Sequence, residues 1–555
     1  MSQKMGMPAL AGLLILTVSM PGRAQALKYA GCPDVTKADF QKVPLVTRAE
    51  HQIEEPIKMA IAKDGRIFWV ERTGLARVWN PADNKATTLL DLSDKILSTA
   101  SGGLEQGATG ISLDPGFASN QWVYIYWAVK DAKAFRLSRF TLAGNALGAE
   151  LPIIEIPYTN IGCCHTSGAM SFDFNGNLYM AVGNTTNNGS GYGSKNLDSS
   201  TNYVNEADFA GDDQRGSANT NSLLGKILRF KPRPVPNGTA VAMGAGKTYD
   251  IPDGNLFPVG QYPADKTRPE IYTMGHRNPY TLTLDPYRGW LTWGEIGPDE
   301  FGGNDTVLTE EHNLVTKPGY MGWPYFVGKN QRYRLNKDPL KPMNLSKNNT
   351  GLAELPPAQP AIHPYGHAAA VTGPIYYYDG RLPSKTKLPP HFNKKWLFSD
   401  FNAGYVDVST VDDQGKSLTS TGRFWAPGFV SNPLDMQIGP DGNLYIIEYS
   451  GWFNATANTR IARVEYTGTC TAPELVPPAT GVKADDRVLP VVPEGALLGM
   501  AGNSRVYLPE GLEGMVIFDL RGRRVLERHH LDGRAGWFDL PAGFRGNVYR
   551  IKYLR

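Results

Sequence analysis

One hydrophobic pattern recurs along the chain: apolar residues alternating with polar ones, a turn of Asp, Asn, Pro or Gly, then a strand of aromatic and β-branched residues. It runs as Ile61-Ala-Lys-Asp-Gly-Arg-Ile-Phe-Trp-Val, as Ile111-Ser-Leu-Asp-Pro-Gly-Phe before Val123-Tyr-Ile-Tyr-Trp, and as Ser171-Phe-Asp-Phe-Asn-Gly-Asn-Leu-Tyr-Met. It returns as Leu282-Thr-Leu-Asp-Pro-Tyr-Arg-Gly-Trp-Leu-Thr-Trp, more weakly around Lys395-Trp-Leu-Phe-Ser-Asp, and as Met436-Gln-Ile-Gly-Pro-Asp-Gly-Asn-Leu-Tyr-Ile-Ile. Alternation on both sides of a turn predicts a β-hairpin, and Asp-Gly or Asn-Gly supplies the positive φ that a tight turn needs. Six hairpins at an irregular spacing of about 45 to 110 residues predict an all-β fold, a six-bladed β-propeller whose blades carry loop insertions. A single sandwich of about 100 residues could not hold them. The longest insertion runs from Asn184 to Asn221 and is crowded with Asn, Ser, Gly and Asp; a second lies between Gly328 and Ala370. Loops carry function on a rigid ring, so these are expected to cover one face of the disc.

The texture changes at both ends. Lys4 in a basic start, an apolar stretch from Leu10 to Val18 and Ala24-Gln25-Ala26 have the three parts of a secretory signal over residues 1–26. That apolar run is far short of the roughly twenty residues needed to span a bilayer, and no later segment is apolar enough. The expected protein is exported, to the periplasm, the cell surface or the medium. Residues 27–472 would form the propeller, and the Pro- and Val-rich stretch 473–495 a linker. In 496–555, Val516-Ile-Phe-Asp-Leu-Arg-Gly-Arg-Arg-Val, Gly536-Trp-Phe-Asp-Leu-Pro-Ala-Gly and Val548-Tyr-Arg-Ile-Lys-Tyr alternate cleanly and predict a small β-sandwich.

Composition sharpens this reading. At 555 residues the chain is too long for one ordinary core, which favours a repeat architecture that grows without deepening. Its 60 Gly and 41 Pro argue against long helical bundles. The formal charge is +3, of which Lys4 and Arg23 of the leader supply two, so net charge gives no reason to expect a nucleic-acid partner. In an oxidising compartment the four cysteines read as a Cys32–Cys470 bridge, tying the start of the ring to its end, with a vicinal pair at Cys163 and Cys164; two free thiols at 163 and 164 are the alternative.

Three segments could carry chemistry: Cys163-Cys164-His165-Thr166-Ser167-Gly168 before one hairpin, Gly275-His276-Arg277-Asn278-Pro279 before the next, and Gly294-Glu295-Ile296-Gly297-Pro298-Asp299-Glu300 at the exit of that hairpin. The third is followed by Asn304-Asp305 and Gly319-Tyr-Met-Gly-Trp-Pro-Tyr325. Loops that enter and leave blade strands lie at the channel rim, so the three can converge. A histidine can take the proton of a hydroxyl whose carbon loses hydride, and an arginine can stabilise the charge that develops on an acceptor. Backbone carbonyls at Gly-Pro with a nearby carboxylate suit a hard cation such as calcium. Trp290, Trp293, Trp323 and Tyr325 read as blade packing, while Asp212 and Asp213 are candidates for a structural calcium. No spacing calls for the carboxylate pair or metal cage of a hydrolase.

These motifs together resemble the glucose/sorbosone dehydrogenase family of quinoprotein glucose and aldose sugar dehydrogenases, over roughly residues 50 to 467. The resemblance implies a six-bladed propeller that oxidises a sugar or polyol with pyrroloquinoline quinone and calcium and passes electrons to an acceptor. It implies His165 as general base, Arg277 and Asn278 on the quinone with Glu105 or Gln106, and calcium at the carbonyls of Gly297 and Pro298, near Asp299 and Asp305. The chain departs from the pattern in several places. Asn432-Pro433-Leu434-Asp435 stands where the family has Arg-x-Arg-Asp, Asp379 where a lysine is expected, and Asn184 where a carboxylate would orient the base. Each missing arginine removes a charge-assisted bond worth about 1.5–3 kcal/mol. A propeller that binds carbohydrate without turnover is therefore the rival reading. The C-terminal module resembles type IX sorting domains, through its Asp-Leu-Arg-Gly-Arg hairpin and its apolar-basic last strand, which implies secretion machinery as a partner.

Overall fold

Each of the six hairpins forms the first two strands of a separate sheet, and the six sheets close into a ring. The computed structural model describes residues 35–97, 105–158, 164–185, 212–298, 309–333, 338–366, 369–451 and 455–469, together with six strands between 497 and 554. Blade 1 comprises Pro56–Ile61, Ile67–Glu71, Leu75–Asn80 and Lys85–Asp91. Blade 2 comprises Ala108–Leu113, Trp122–Val129, Ala134–Ala143 and Leu151–Pro157. Blade 3 is Ser167–Phe172, Leu178–Val182, Lys226–Pro232 and Ile271–Met274. Blade 4 is Pro279–Leu284, Leu291–Glu295, Glu310–Val315 and His363–Tyr365. Blade 5 is Ala370–Tyr376, Lys395–Asp400, Val406–Val411 and Leu418–Trp425. Blade 6 takes Pro433–Ile438, Leu444–Glu448 and Arg460–Tyr466 from the end of the ring and Phe40–Thr47 from its start. The antiparallel pairing of Phe40–Thr47 with Arg460–Tyr466 is therefore a clasp made of backbone hydrogen bonds. Cys32, Cys163 and Cys470 lie outside the described residues; Cys164 is buried and is not a free thiol.

Apolar side chains collect between blades rather than at one centre. Phe68, Val70, Ile111 and Trp127 fill the seam of blades 1 and 2, and Leu282, Leu291 and Trp293 meet Tyr179 and Ile227 between blades 3 and 4. Val46, Ile57, Trp69 and Ile447 seal blade 6 against blade 1. A ring of such seams lengthens a chain without thickening its core, which resolves the problem of size.

Two recurring devices shape the end of the channel where the first strands begin. Every first strand carries a register shift against its neighbour near that end, at Pro56/Lys58, Ala108/Gly110, Ser167/Met170, Pro279/Thr281, Thr372/Ile375 and Pro433/Asp435. Such bulges bend a strand and re-aim its side chains. In four blades a buried carboxylate also ends the second strand and accepts N–H bonds from the loop entering the first. Glu295 binds the amides of Arg277 and Asn278, both at 2.8 Å. Asp400 binds that of Ala369 at 2.8 Å, Glu448 that of Ser431 at 2.9 Å, and Glu71 that of Glu54 at 3.4 Å.

Beyond the ring, Leu497–Gly499, Val548–Leu554, Gly514–Asp519 and Arg524–His529 form a four-stranded sheet, in that order, and Arg505–Leu508 pairs with Gly536–Asp539. No helix among the described residues is long and apolar enough to cross a membrane.

Candidate functional site

His165 sits just before blade 3's first strand with φ +68°, and Ser167 and Thr185 beside it have φ +52° and +57°. Three non-glycine residues in this costly region, side by side, mark a segment held in place by its surroundings. Part of that hold is Gly183: a Cβ there would stand 2.0 Å from the His165 carbonyl oxygen. From the other side, Glu105 of blade 2's entry loop accepts the amide of His165 at 2.8 Å and that of Thr166 at 3.3 Å. The imidazole is buried, and its Nδ1 lies 2.9 Å from Oδ1 of Asn184. Burial, reinforced by the Arg277 charge and opposed by the Asn184 bond, holds its pKa well below the usual histidine value. His165 is thus a neutral imidazole whose Nδ1 is engaged by Asn184.

The second segment reaches the same place. The amide of Asn184 donates to the Arg277 carbonyl at 3.0 Å, and the Arg277 guanidinium donates to the Ile296 carbonyl at 3.1 Å. Asn278 accepts from the Ser167 hydroxyl at 2.8 Å and donates to Glu105 at 3.4 Å. Glu295 anchors all of this, since besides the two amides it takes His276 Nδ1 at 2.7 Å and the Trp293 indole at 3.2 Å. The carbonyl of Gly297 follows directly on Ile296, so a few hydrogen bonds link His165, Arg277 and Gly297 across blades 3 and 4. Gly297 must be glycine, because a Cβ would stand 2.1 Å from the Thr309 carbonyl oxygen. Its own carbonyl and that of Pro298 accept no hydrogen bond from the described residues. Asp299 and Asp305 lie outside those residues, and among the residues described no three His, Cys, Asp or Glu gather to hold a metal.

Several expectations change. Of the Glu105/Gln106 pair, Glu105 is the residue that bonds His165 and Asn278, while Gln106 is buried behind it; burial pushes the Glu105 carboxyl up despite those bonds. Asp379 is remote from this end of the channel: it lies in the hairpin of blade 5 and pairs with Arg381 at 2.8 Å. Asp212 and Asp213 are both engaged by hydrogen-bond donors. Asp212 accepts from Gln214, Ser346 and Asn348 and so ties blade 3's insertion to blade 4's. Asp213 accepts from Asn184 at 2.7 Å and from the Trp323 indole at 2.9 Å, so Trp323 does more than pack.

Lys58 was not foreseen. Its buried ammonium bonds the Leu434 carbonyl at 2.9 Å and lies 3.9 Å from the centre of the Tyr280 ring, with no carboxylate of the described residues in salt-bridge contact. Burial lowers its pKa to about 8, against the pull of Asp435 and Glu105. The available signal was a lone cation inside the apolar run Pro56-Ile-Lys-Met-Ala-Ile. Beyond it the channel opens, at the hairpin end, into a cavity of about 650 Å³ walled by Met59, Met170, Phe172, Leu282, Ile375 and Met436. His165, Arg277, Asn278, Glu105 and Gly297 are at the other end.

The glucose / sorbosone dehydrogenase family model matches residues 53–452. An uncharacterized protein of Synechocystis sp., slr1608, is 24% identical over 443 residues, which is 78% of this chain and 88% of that protein. Quinoprotein glucose dehydrogenase B of Acinetobacter calcoaceticus is 23% identical over 291 residues, 50% of this chain and 51% of the relative. The solved structure of the soluble aldose sugar dehydrogenase of Escherichia coli, in its apo form, superposes with a TM-score of 0.51 at 19% identity, covering 77% of this chain and 99% of that one; the likeness is one of fold.

Proposed function

Because the chain belongs to the glucose/sorbosone dehydrogenase family, we propose that it oxidises an aldose or polyol with pyrroloquinoline quinone and calcium, passing the electrons to an external acceptor. The observation that carries the reading is a neutral, buried His165 whose Nδ1 is engaged and which feels the charge of Arg277, at the end of the channel where the first strands begin. With its proton on Nδ1, the ring would carry on Nε2 the lone pair that takes a proton from a substrate hydroxyl. When bound, the quinone supplies a two-electron acceptor for the hydride of the same carbon. Arg277 would offset negative charge gathering there, and Glu295 holds the loop that carries it.

The donor set fits an anionic quinone. Arg277 and Lys58 are cations at this end of the channel, and Asn278 offers an amide. Lys58 bonds the carbonyl of Leu434, the position where the sequence lacks an arginine, so the neighbouring blade offers a cation close to the gap. The open carbonyls of Gly297 and Pro298 suit calcium.

The rival reading, a carbohydrate-binding propeller without turnover, is favoured by Asn432 and Leu434; the Asn432 amide is used internally, on the Phe401 carbonyl at 3.0 Å. Purified protein incubated with pyrroloquinoline quinone and Ca²⁺, then assayed for dye reduction with a panel of aldoses and polyols, separates the two. Cofactor uptake at micromolar concentration with sugar-dependent reduction is expected; sugar binding without either supports the rival. We also propose export directed by residues 1–26, a Cys163–Cys164 vicinal disulfide with a Cys32–Cys470 bridge, and a C-terminal β-sandwich that serves sorting.

A further inference from the structure

His165 is followed by two more links. Asn184 Oδ1 faces His165 Nδ1 at 2.9 Å, Asn184 Nδ2 faces Asp213 Oδ1 at 2.7 Å, and Asp213 Oδ2 faces the Trp323 indole nitrogen at 2.9 Å. All four side chains are buried. Each link restricts the next. An indole N–H can only donate, so Asp213 Oδ2 must accept. An ionised carboxylate offers acceptors alone, so the amide must turn its NH₂ to Asp213 and its oxygen to the imidazole. An oxygen at that place requires a proton on Nδ1, which leaves the lone pair on Nε2.

We propose that Asp213 is a positioning residue that sets the tautomer of His165 through Asn184, and that it supplies the negative charge a neutral amide cannot. Asn184 alone is ambiguous, because an amide can present either end to a histidine and would then accept either tautomer. A fixed acceptor behind it, Asp213 at 2.7 Å, removes the choice. When Nε2 takes up a proton, the new charge on the ring is balanced through the amide dipole by Asp213, while the Nδ1 proton stays in place. A carboxylate sits where direct contact would need it in neither residue 184 nor any described neighbour bonded to Nδ1, so two residues divide the work of one: orientation goes to Asn184 and charge to Asp213. The Gly-Ser-Asn-rich insertion thereby acquires a role, since its far end, anchored by Asp212 on Ser346 and Asn348, delivers Asp213 to the base.

The test reads the tautomer directly, by ¹⁵N–¹H correlation spectra of histidine-labelled full-length protein without cofactor or sugar, with H165Q identifying the signal. The wild type is expected to show a protonated Nδ1 and a bare Nε2. In D213N the new amide must give its oxygen to the Trp323 indole, so its NH₂ faces Asn184, Asn184 turns over, and His165 should switch to the Nε2–H form. Adding N184D to D213N restores a carboxylate that accepts from both sides and should return the proton to Nδ1. A bare Nδ1 in the wild type, an unchanged tautomer in D213N, or failure of the double variant to revert each overturns the proposal. If D213N does not fold, the wild-type spectrum decides alone. For turnover the inference rests on the dehydrogenase reading: kcat should fall on the order of 10²-fold or more in D213N and recover in the double variant. A protein with the predicted tautomer and no sugar oxidation would sink that reading and leave the placement of Asp213 standing.

Discussion

Lys58 shows how a single side chain acquires a property that its residue type does not have. A lysine in water keeps its proton to above pH 10, whereas this one, buried against Tyr280 with carbonyls for partners, releases it at about 8. If its ammonium helps to hold an anionic quinone, affinity should fall as pH rises past 8, because the binding charge is present below that pKa and lost above it. Lys58→Met is expected to weaken cofactor binding at pH 7 by roughly tenfold or more, the worth of one charge-assisted bond, and to abolish the pH dependence between 7 and 9. Titration of cofactor fluorescence measures both; a pH profile unchanged by the substitution excludes Lys58 from the site. Burial acts on His165 in the same direction. The residue was legible as a candidate base, but its protonation state is set by burial, by Arg277 and by an amide nineteen positions along the chain.

The second strands and the loops they anchor are the elements that position the site. The carboxylate ending the second strand pins the entry loop in four blades, and only in blade 4 does that loop carry Arg277 and Asn278. Glu295→Ala should therefore speed amide exchange at Arg277 and Asn278 by at least roughly tenfold, while Glu71→Ala in blade 1 leaves those two amides protected; hydrogen exchange read by mass spectrometry distinguishes these outcomes. A different element effect lies in the third strand of blade 4. His312 is buried against Phe398 and Tyr365, with ring centroids 4.1 and 5.2 Å away, and neither ring nitrogen has a hydrogen-bond partner among the described residues. Burial, and the neighbouring His363, hold its pKa well below the usual value. The unfolded chain binds a proton near pH 6.5 that the folded chain refuses, so stability is full above that pH and falls below it by up to ~1.4 kcal/mol per pH unit. His312→Phe should flatten the slope between pH 5 and 6.5 in urea midpoints, and a slope equal to wild type would show that other groups govern it.

At the scale of the molecule, the ring holds because its first strand is bound to its last blade. Val46, fully buried in the seam between blades 6 and 1, is the point where closure and packing meet. Val46→Asp places an unpaired carboxylate there and should cost about 3 kcal/mol or more, seen as a lower thermal or urea midpoint. Aspartate at Glu50, exposed in the short helix Arg48–His51 that follows, should leave the midpoint unchanged. How much of this was legible follows from which interactions are local. Hairpins are decided by alternation and by turn residues within about ten positions, so all six blades could be read from the chain, as could the entry loops bearing His165 and Arg277. What alternation could not reveal was which residues meet across blades. Glu105 and Gln106 are neighbours in sequence, and only the ring geometry turned Glu105 to the His165 amide. Asp213 lies beyond a long insertion, Lys58 and Leu434 are 376 positions apart, and Asp379, which stands where a lysine is expected, pairs with Arg381 in the hairpin of blade 5. The sequence by itself determined the number of blades and which loops carry the candidate residues, since both depend on short-range periodicity. The hydrogen-bond partners of His165, the cation beside Leu434 and the strand that clasps the ring were decided by tertiary structure, because each depends on groups that only closure of the ring brings within hydrogen-bond reach.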